Sequence, residues 1–162
     1  MKDRLPAAFA IGVVVVAVAV GAILFMQRNA AVGITGNVLK VRSAPLDEKS
    51  SVAVVDFRFT NPSDVPFVVR TVTVAMEDQK GGWAEGQTIA EVDAKRMFEM
   101  LPLLGQKFND TLILREKIAP HTSQDRMVSA RFEIPDEQLT ARKRFLVKIE
   151  EVDGKISEIS EK

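Results

Sequence analysis

Residues 51–76 read SVAVVDFRFTNPSDVPFVVRTVTVAM, and this stretch decides the fold. Ala53, Val55, Phe57 and Phe59 fall on one face of an extended chain. Val54, Asp56, Arg58 and Thr60 fall on the other. A period of two marks a half-buried strand. Asn-Pro-Ser-Asp-Val-Pro at 61–66 is a turn, because its two prolines stop ladder pairing. A second strand follows over 67–76, with Val72, Val74 and Met76 on one face and Thr71 and Thr73 on the other.

The same reading extends outward in both directions. Strands are expected over 32–43, 111–118, 126–134, 144–152 and 155–160, separated by turn-rich segments. Inward positions include Val128, Ala130, Phe132 and Ile134, and then Phe145, Val147 and Ile149. Pro135 opens a short connection of one helical turn. Asp153-Gly154 is the pair preferred by a two-residue hairpin. In the last strand Ile156 is the main apolar side chain and Ile159 falls out of its register. The period changes only near 89–101. Thr88 with Glu91 has capping-box form, Ile89, Val92, Met97, Met100 and Leu101 give an apolar stripe, and Pro102 ends the helix. Such a helix would cover an open end or edge of the sheet. Strands joined by turns rather than by repeated helices pair antiparallel, so the fold class is mainly β, a sandwich of about seven strands with one inserted helix.

The stretch 51–82, SVAVVDFRFTNPSDVPFVVRTVTVAMEDQKGG, resembles the group-2 late-embryogenesis-abundant (water-stress and hypersensitive response) domains. There a strand ending in an aromatic residue runs into Asn-Pro, then a proline-containing turn, then a strand alternating Val and Thr. It also resembles small bacterial extracytoplasmic modules of immunoglobulin-like form. The resemblance implies an immunoglobulin-like sandwich with a non-enzymatic binding or protective role. It brings no catalytic residues.

Ahead of the domain lies AAFAIGVVVVAVAVGAILFM at 7–26, without a charge. As a helix it would span ~30 Å, the thickness of a bilayer's hydrocarbon core. It is longer than a signal-peptide core, and Gln27-Arg28-Asn29 offers no small-x-small cleavage site. The expected organisation is a tail and signal-anchor over 1–28, a connector over 29–33 and a sandwich domain over 34–162. Lys2 and Arg4 favour a cytoplasmic N-terminus, hence an extracytoplasmic domain, periplasmic or at the cell surface. Ala8 with Gly12, and Ala17 with Gly21, recur at four-residue spacing and would let a second copy of the helix approach closely.

Composition removes several function classes. Lys plus Arg and Asp plus Glu both number 22, so no basic excess suggests nucleic acid. The absence of cysteine removes disulfides, thiolate catalysis and thiolate metal sites, and the single histidine removes His-rich ones. His121 lies in a turn, and Ser123 and Asp125 beside it make no triad by sequence proximity. The paired carboxylates lack the spacing of a calcium loop, and Gly81-Gly82 lacks the context of a phosphate loop. Asn109-Asp110-Thr111 has the form of a glycosylation sequon. No cofactor or metal is expected. Trp83 reads either as an interface anchor or as a plug at the end of the sandwich. Met97 and Phe98 read as core packing or as part of a partner groove. Trp83, Met97 and Phe98 are therefore the candidate partner-binding residues. The expected activity is the non-enzymatic binding of a protein or envelope component, the alternative a protective domain of the late-embryogenesis type.

Overall fold

The computed structural model describes residues 4–27 and 33–161, and within the first helix the side chains of Phe9 and residues 11–23. The chain divides into two units, residues 1–31 and 32–162. The first holds helix α1, Arg4–Gln27. Its described side chains are all exposed. Among the described residues no helix is long and apolar enough to cross a membrane.

The second unit is an antiparallel β-sandwich. Its elements are β1 (Thr35–Pro45), β2 (Ser51–Thr60), β3 (Phe67–Glu77), β4 (Trp83–Ile89), α2 (Glu91–Met100), β5 (Lys117–Ile118), β6 (Ser123–Phe132), α3 (Asp136–Thr140), β7 (Arg144–Glu151) and β8 (Ile156–Ser160), with a 3-10 turn at Pro102–Leu104. Hydrogen-bonded neighbours run β1-β2-β6-β4-β3-β7-β8, and β5 pairs with β3.

β4 is the pivot of this order. Residues 83–86 pair with β3, ending at Val74↔Gly86. Residues 87–89 pair with β6, starting at Gln87↔Arg131. One strand thus leaves one layer and enters the other, folding the ladder over itself. Gly86 stands at the crossing for a steric reason. A Cβ there would lie 2.5 Å from Cζ of Phe132 and 2.9 Å from Cβ of Ala130. The two ends of the ladder also meet, since the Ile34 amide donates to Ser157 Oγ at 3.0 Å.

The core lies between the layers. Ala53, Val55, Phe57 and Phe59 of β2 and Val128, Ala130 and Phe132 of β6 face Val72, Val74 and Met76 of β3 and Phe145, Val147 and Ile149 of β7. These are the inward positions that alternation predicts. The other face of β2 differs from expectation. Val52 and Val54 are fully buried, packed with Ala94, Met97, Leu104 and Met127 in a second cluster. So β2 is buried on both faces, and α2 covers a sheet face rather than an end or edge. Each such side chain withdrawn from water is worth about 1.5–3 kcal/mol.

Other local expectations are corrected. β4 occupies 83–89, read as loop and helix start from the sequence, and the sandwich has eight strands. Thr88 sits in β4 and caps nothing; Ala90 holds the N-cap position without a side-chain bond. The strand expected over 111–118 is only β5. Thr111 makes one isolated bridge to Met127, and the chain then turns through Arg115 at φ 65. In β8 the roles of the isoleucines are reversed. Ile159 pairs with Val147 and is fully buried, whereas Ile156 pairs with Glu150 and is exposed. Pairing with β7 sets that register, and a one-residue slip would exchange the two faces. The β7–β8 connection is a three-residue loop. The Glu151 amide donates to Lys155 O, the Gly154 amide to Glu151 O, and Gly154 has φ +88.

Candidate functional site

Trp83 opens β4 in a single rung that runs Trp83, Glu77, Arg144 across β4, β3 and β7. Its ring is half exposed, so it does not plug the sandwich end. The Arg144 guanidinium lies 5.6 Å from the indole centroid, within cation–π range. Beneath them the Glu77 carboxylate is buried. It accepts from Lys143 Nζ at 2.7 Å and Arg144 Nε at 2.5 Å. The Lys143 bond, then the Arg144 bond, holds the Glu77 carboxyl below the usual carboxylate range. A depressed folded-state pKa contributes stability above the unfolded value of 4.5, and this is lost as pH falls through the folded value. Glu77→Gln is therefore expected to lower Tm more at pH 7 than at pH 3. Equal Tm differences at both pH values would refute the assignment.

Met97 and Phe98 lie elsewhere, on α2 against the first layer. Met97 is buried in the second cluster and Phe98 is half-buried against it. Of the three candidates only Trp83 is exposed, and the fold does not bring it together with the other two. On α1, Gly12, Ala17 and Gly21 are exposed, and a Cβ on either glycine would meet nothing within 4 Å. Ala8 lies outside the described side chains.

The remaining sequence candidates are separated. His121 Nε2 lies 2.9 Å from Asp64 Oδ1 in an exposed turn. Ser123 bonds to Thr60 and the Phe59 carbonyl, and Asp125 makes two bonds to Arg58, so no triad forms. Asn109 donates its amide to Asp56 Oδ1 at 2.8 Å. Among the described residues no group of His, Asp or Glu could hold a metal ion.

Two features escape sequence reading. The first is a clasp around Arg42, whose side chain is 8% exposed. Its Nη1 donates to Leu104 O at 2.7 Å and Gln106 O at 2.6 Å, and its Nη2 to Asp56 Oδ2 at 2.7 Å. The rings of Phe98 and Phe108 lie 5.2 and 5.1 Å from the guanidinium. The planar fork lets the two Nη atoms serve two carbonyls and a carboxylate at once, while the buried Nε has no partner. The second feature is a cleft of about 530 Å³ where β4 leaves β3. Its strand walls carry Thr71 and Thr73 on β3, and Glu85 and Gln87 on β4. Thr88 Oγ1 donates to Val72 O at 2.8 Å across the fork. Thr111 also lines the cleft and is buried, yet its hydroxyl has no hydrogen-bond partner. An unmet buried hydroxyl costs about 1–3 kcal/mol. Neither feature has a local pattern, because each joins segments far apart in the chain.

Two solved structures are similar to this chain. An uncharacterised β-sandwich protein from Clostridium difficile 630 superposes with a TM-score of 0.40 at 14% identity, over 80% of this chain and 86% of that one. A conserved hypothetical protein from Bacillus anthracis superposes with a TM-score of 0.41 at 12% identity, over 72% of this chain and 82% of that one. No protein family matches the chain, and no curated protein matches it.

Proposed function

We propose that this protein is a single-pass membrane-anchored module. Its immunoglobulin-like β-sandwich lies on the extracytoplasmic side and binds a protein or envelope component without catalysing a reaction. The surface of α1 carries the reading. Every described side chain on it is exposed, Phe9 at 75% and Ile11 and Val18 at 66%. Left in water, this surface would be a large contiguous apolar patch of the kind that marks an interaction site. The 24-residue helix contains the charge-free run 7–26, long enough for lipid to cover it. Lys2 and Arg4 ahead of the run supply the orientation.

A C-terminal reporter active in only one compartment tests this. The full chain is expected to sediment with membranes, resist extraction by high salt, and signal outside the cytoplasm. A chain that stays in the supernatant refutes the anchor, and a cytoplasmic signal refutes the orientation.

A second reading, the late-embryogenesis-type protective domain, draws support from Asn61 at the Asn-Pro turn. This residue is buried, with every polar atom of its side chain bonded. The resembling strand pair is thus a built corner. That reading requires the domain to protect unrelated proteins during drying better than an inert protein does; equal protection would refute it.

A further inference from the structure

We infer that the cleft between β3, β4 and residues 111–114 binds an extended segment of a partner protein, one carrying a lysine or arginine two positions from an apolar residue. The inference rests on the binding-module reading and names the partner class.

Shape supports an extended peptide. At about 530 Å³ the cleft falls within the range of ligand-binding clefts. Thr71 and Thr73 on one wall, and Glu85, Gln87 and Ile89 on the other, recur at every second residue. That spacing, about 6.8 Å, is also the spacing of side chains on one face of an extended chain.

Charge selects the sign. Glu85 and Glu91 line the cleft, both are exposed, and neither has an ion-pair or hydrogen-bond partner among the described residues. No lysine, arginine or histidine is among the lining residues. Such a wall repels phosphate and acidic peptides and attracts an ammonium or guanidinium. Apolar surface lies beside it. Ile113 and Leu114 are exposed at the rim, 44% and 63%. The Thr111 hydroxyl is the independent sign of an occupant. Thr111 is 5% exposed and lines the cleft, and its oxygen has no partner. A peptide backbone supplies both a donor and an acceptor for it.

The full chain in neutral-detergent micelles would be titrated with four capped, labelled pentapeptides, Val-Ser-Xaa-Ser-Val with Xaa as Lys, Arg, Ser or Glu, so that Xaa and both valines share one face of the extended chain. Protein-free micelles serve as the blank. Saturable binding of the Lys and Arg peptides is expected, at least tenfold tighter than the Ser peptide, with none for Glu. Glu85→Gln with Glu91→Gln, both at exposed positions, should remove that tenfold preference. Thr111→Val should weaken the Lys peptide several-fold while leaving Tm unchanged or higher. Absence of saturable Lys-peptide binding, equal binding of the Glu peptide, or an unchanged preference in the double variant would each overturn the inference. Saturation by n-butylammonium alone would replace the peptide with a small cation and also overturn it. Flotation of the same preparation with vesicles reads the anchor independently, so failure at the cleft is distinguishable from failure of the membrane module.

Discussion

Replacing Arg42 with methionine is expected to lower the unfolding free energy by about 3–5 kcal/mol, the usual cost of removing one partner of a buried ion pair. The size follows from what the substitution strands. Asp56 is 2% exposed and would keep only the Asn109 amide as a partner. The carbonyls of Leu104 and Gln106 would lose their donor and the ring of Phe98 its cation, while Phe108 would keep Lys40 Nζ 5.3 Å from its centroid. Domains of this kind are stable by about 5–15 kcal/mol, so such a loss would leave the sandwich marginal. Denaturant midpoints at constant m-value measure it. Removing both charges, as Arg42→Met with Asp56→Leu, should recover much of the loss, because the uncompensated buried carboxylate is then gone. Hydrogen exchange should meanwhile quicken over 98–109 in the single variant. A loss below about 1 kcal/mol would mean the pair behaves as a surface salt bridge, with the second cluster alone holding that segment.

The second large effect is expected at Asn61. Asn61→Ala should cost about 3 kcal/mol, since buried acceptors left unmet cost about 1–3 kcal/mol each. The Asn61 side-chain amide donates to Val65 O at 2.9 Å, Ile118 O at 3.2 Å and Ala119 O at 3.3 Å. Its Oδ1 accepts from the Ser63 amide at 3.1 Å and the Ser63 hydroxyl at 2.7 Å. One side chain therefore ties the 61–66 turn to the end of β5 and the turn after it. Asn61→Asp separates hydrogen bonding from volume. It places an acceptor-only carboxylate against three carbonyls, which favours its protonated form and raises its pKa. The destabilisation should then be full at neutral pH and ease as pH falls, in contrast to the pH-independent loss of Asn61→Ala. An Asn61→Asp variant as stable as the parent at pH 7 would refute the donor role.

Asn61 also shows how far the sequence reaches. Its position beside Pro62 marks a turn by local chemistry alone, yet its importance comes from Ile118 and Ala119, more than fifty residues away. Likewise the inward face of β2 was legible, because alternation of Ala53, Val55, Phe57 and Phe59 follows directly from the pleat. Burial of Val52 and Val54 on its other face was not, because it depends on where α2 comes to lie.

The sequence by itself determined the β class, the turns, most strand positions, the inward faces of β2, β3, β6 and β7, and the helical run at 7–26. These follow from local rules: side-chain alternation, turn residues and unbroken apolarity. Tertiary structure alone decided that 83–89 is a strand. Its central Gly86 weakens local propensity but is what lets β4 cross above Phe132 from one layer to the other. It decided the register of β8, where pairing with β7 turns Ile159 inward and Ile156 out. It also placed Arg42 against Asp56, opened the cleft at the β3–β4 fork, and separated Trp83 from Met97 and Phe98. Each of these depends on contacts between residues distant in sequence, and no local pattern of residues encodes such a meeting.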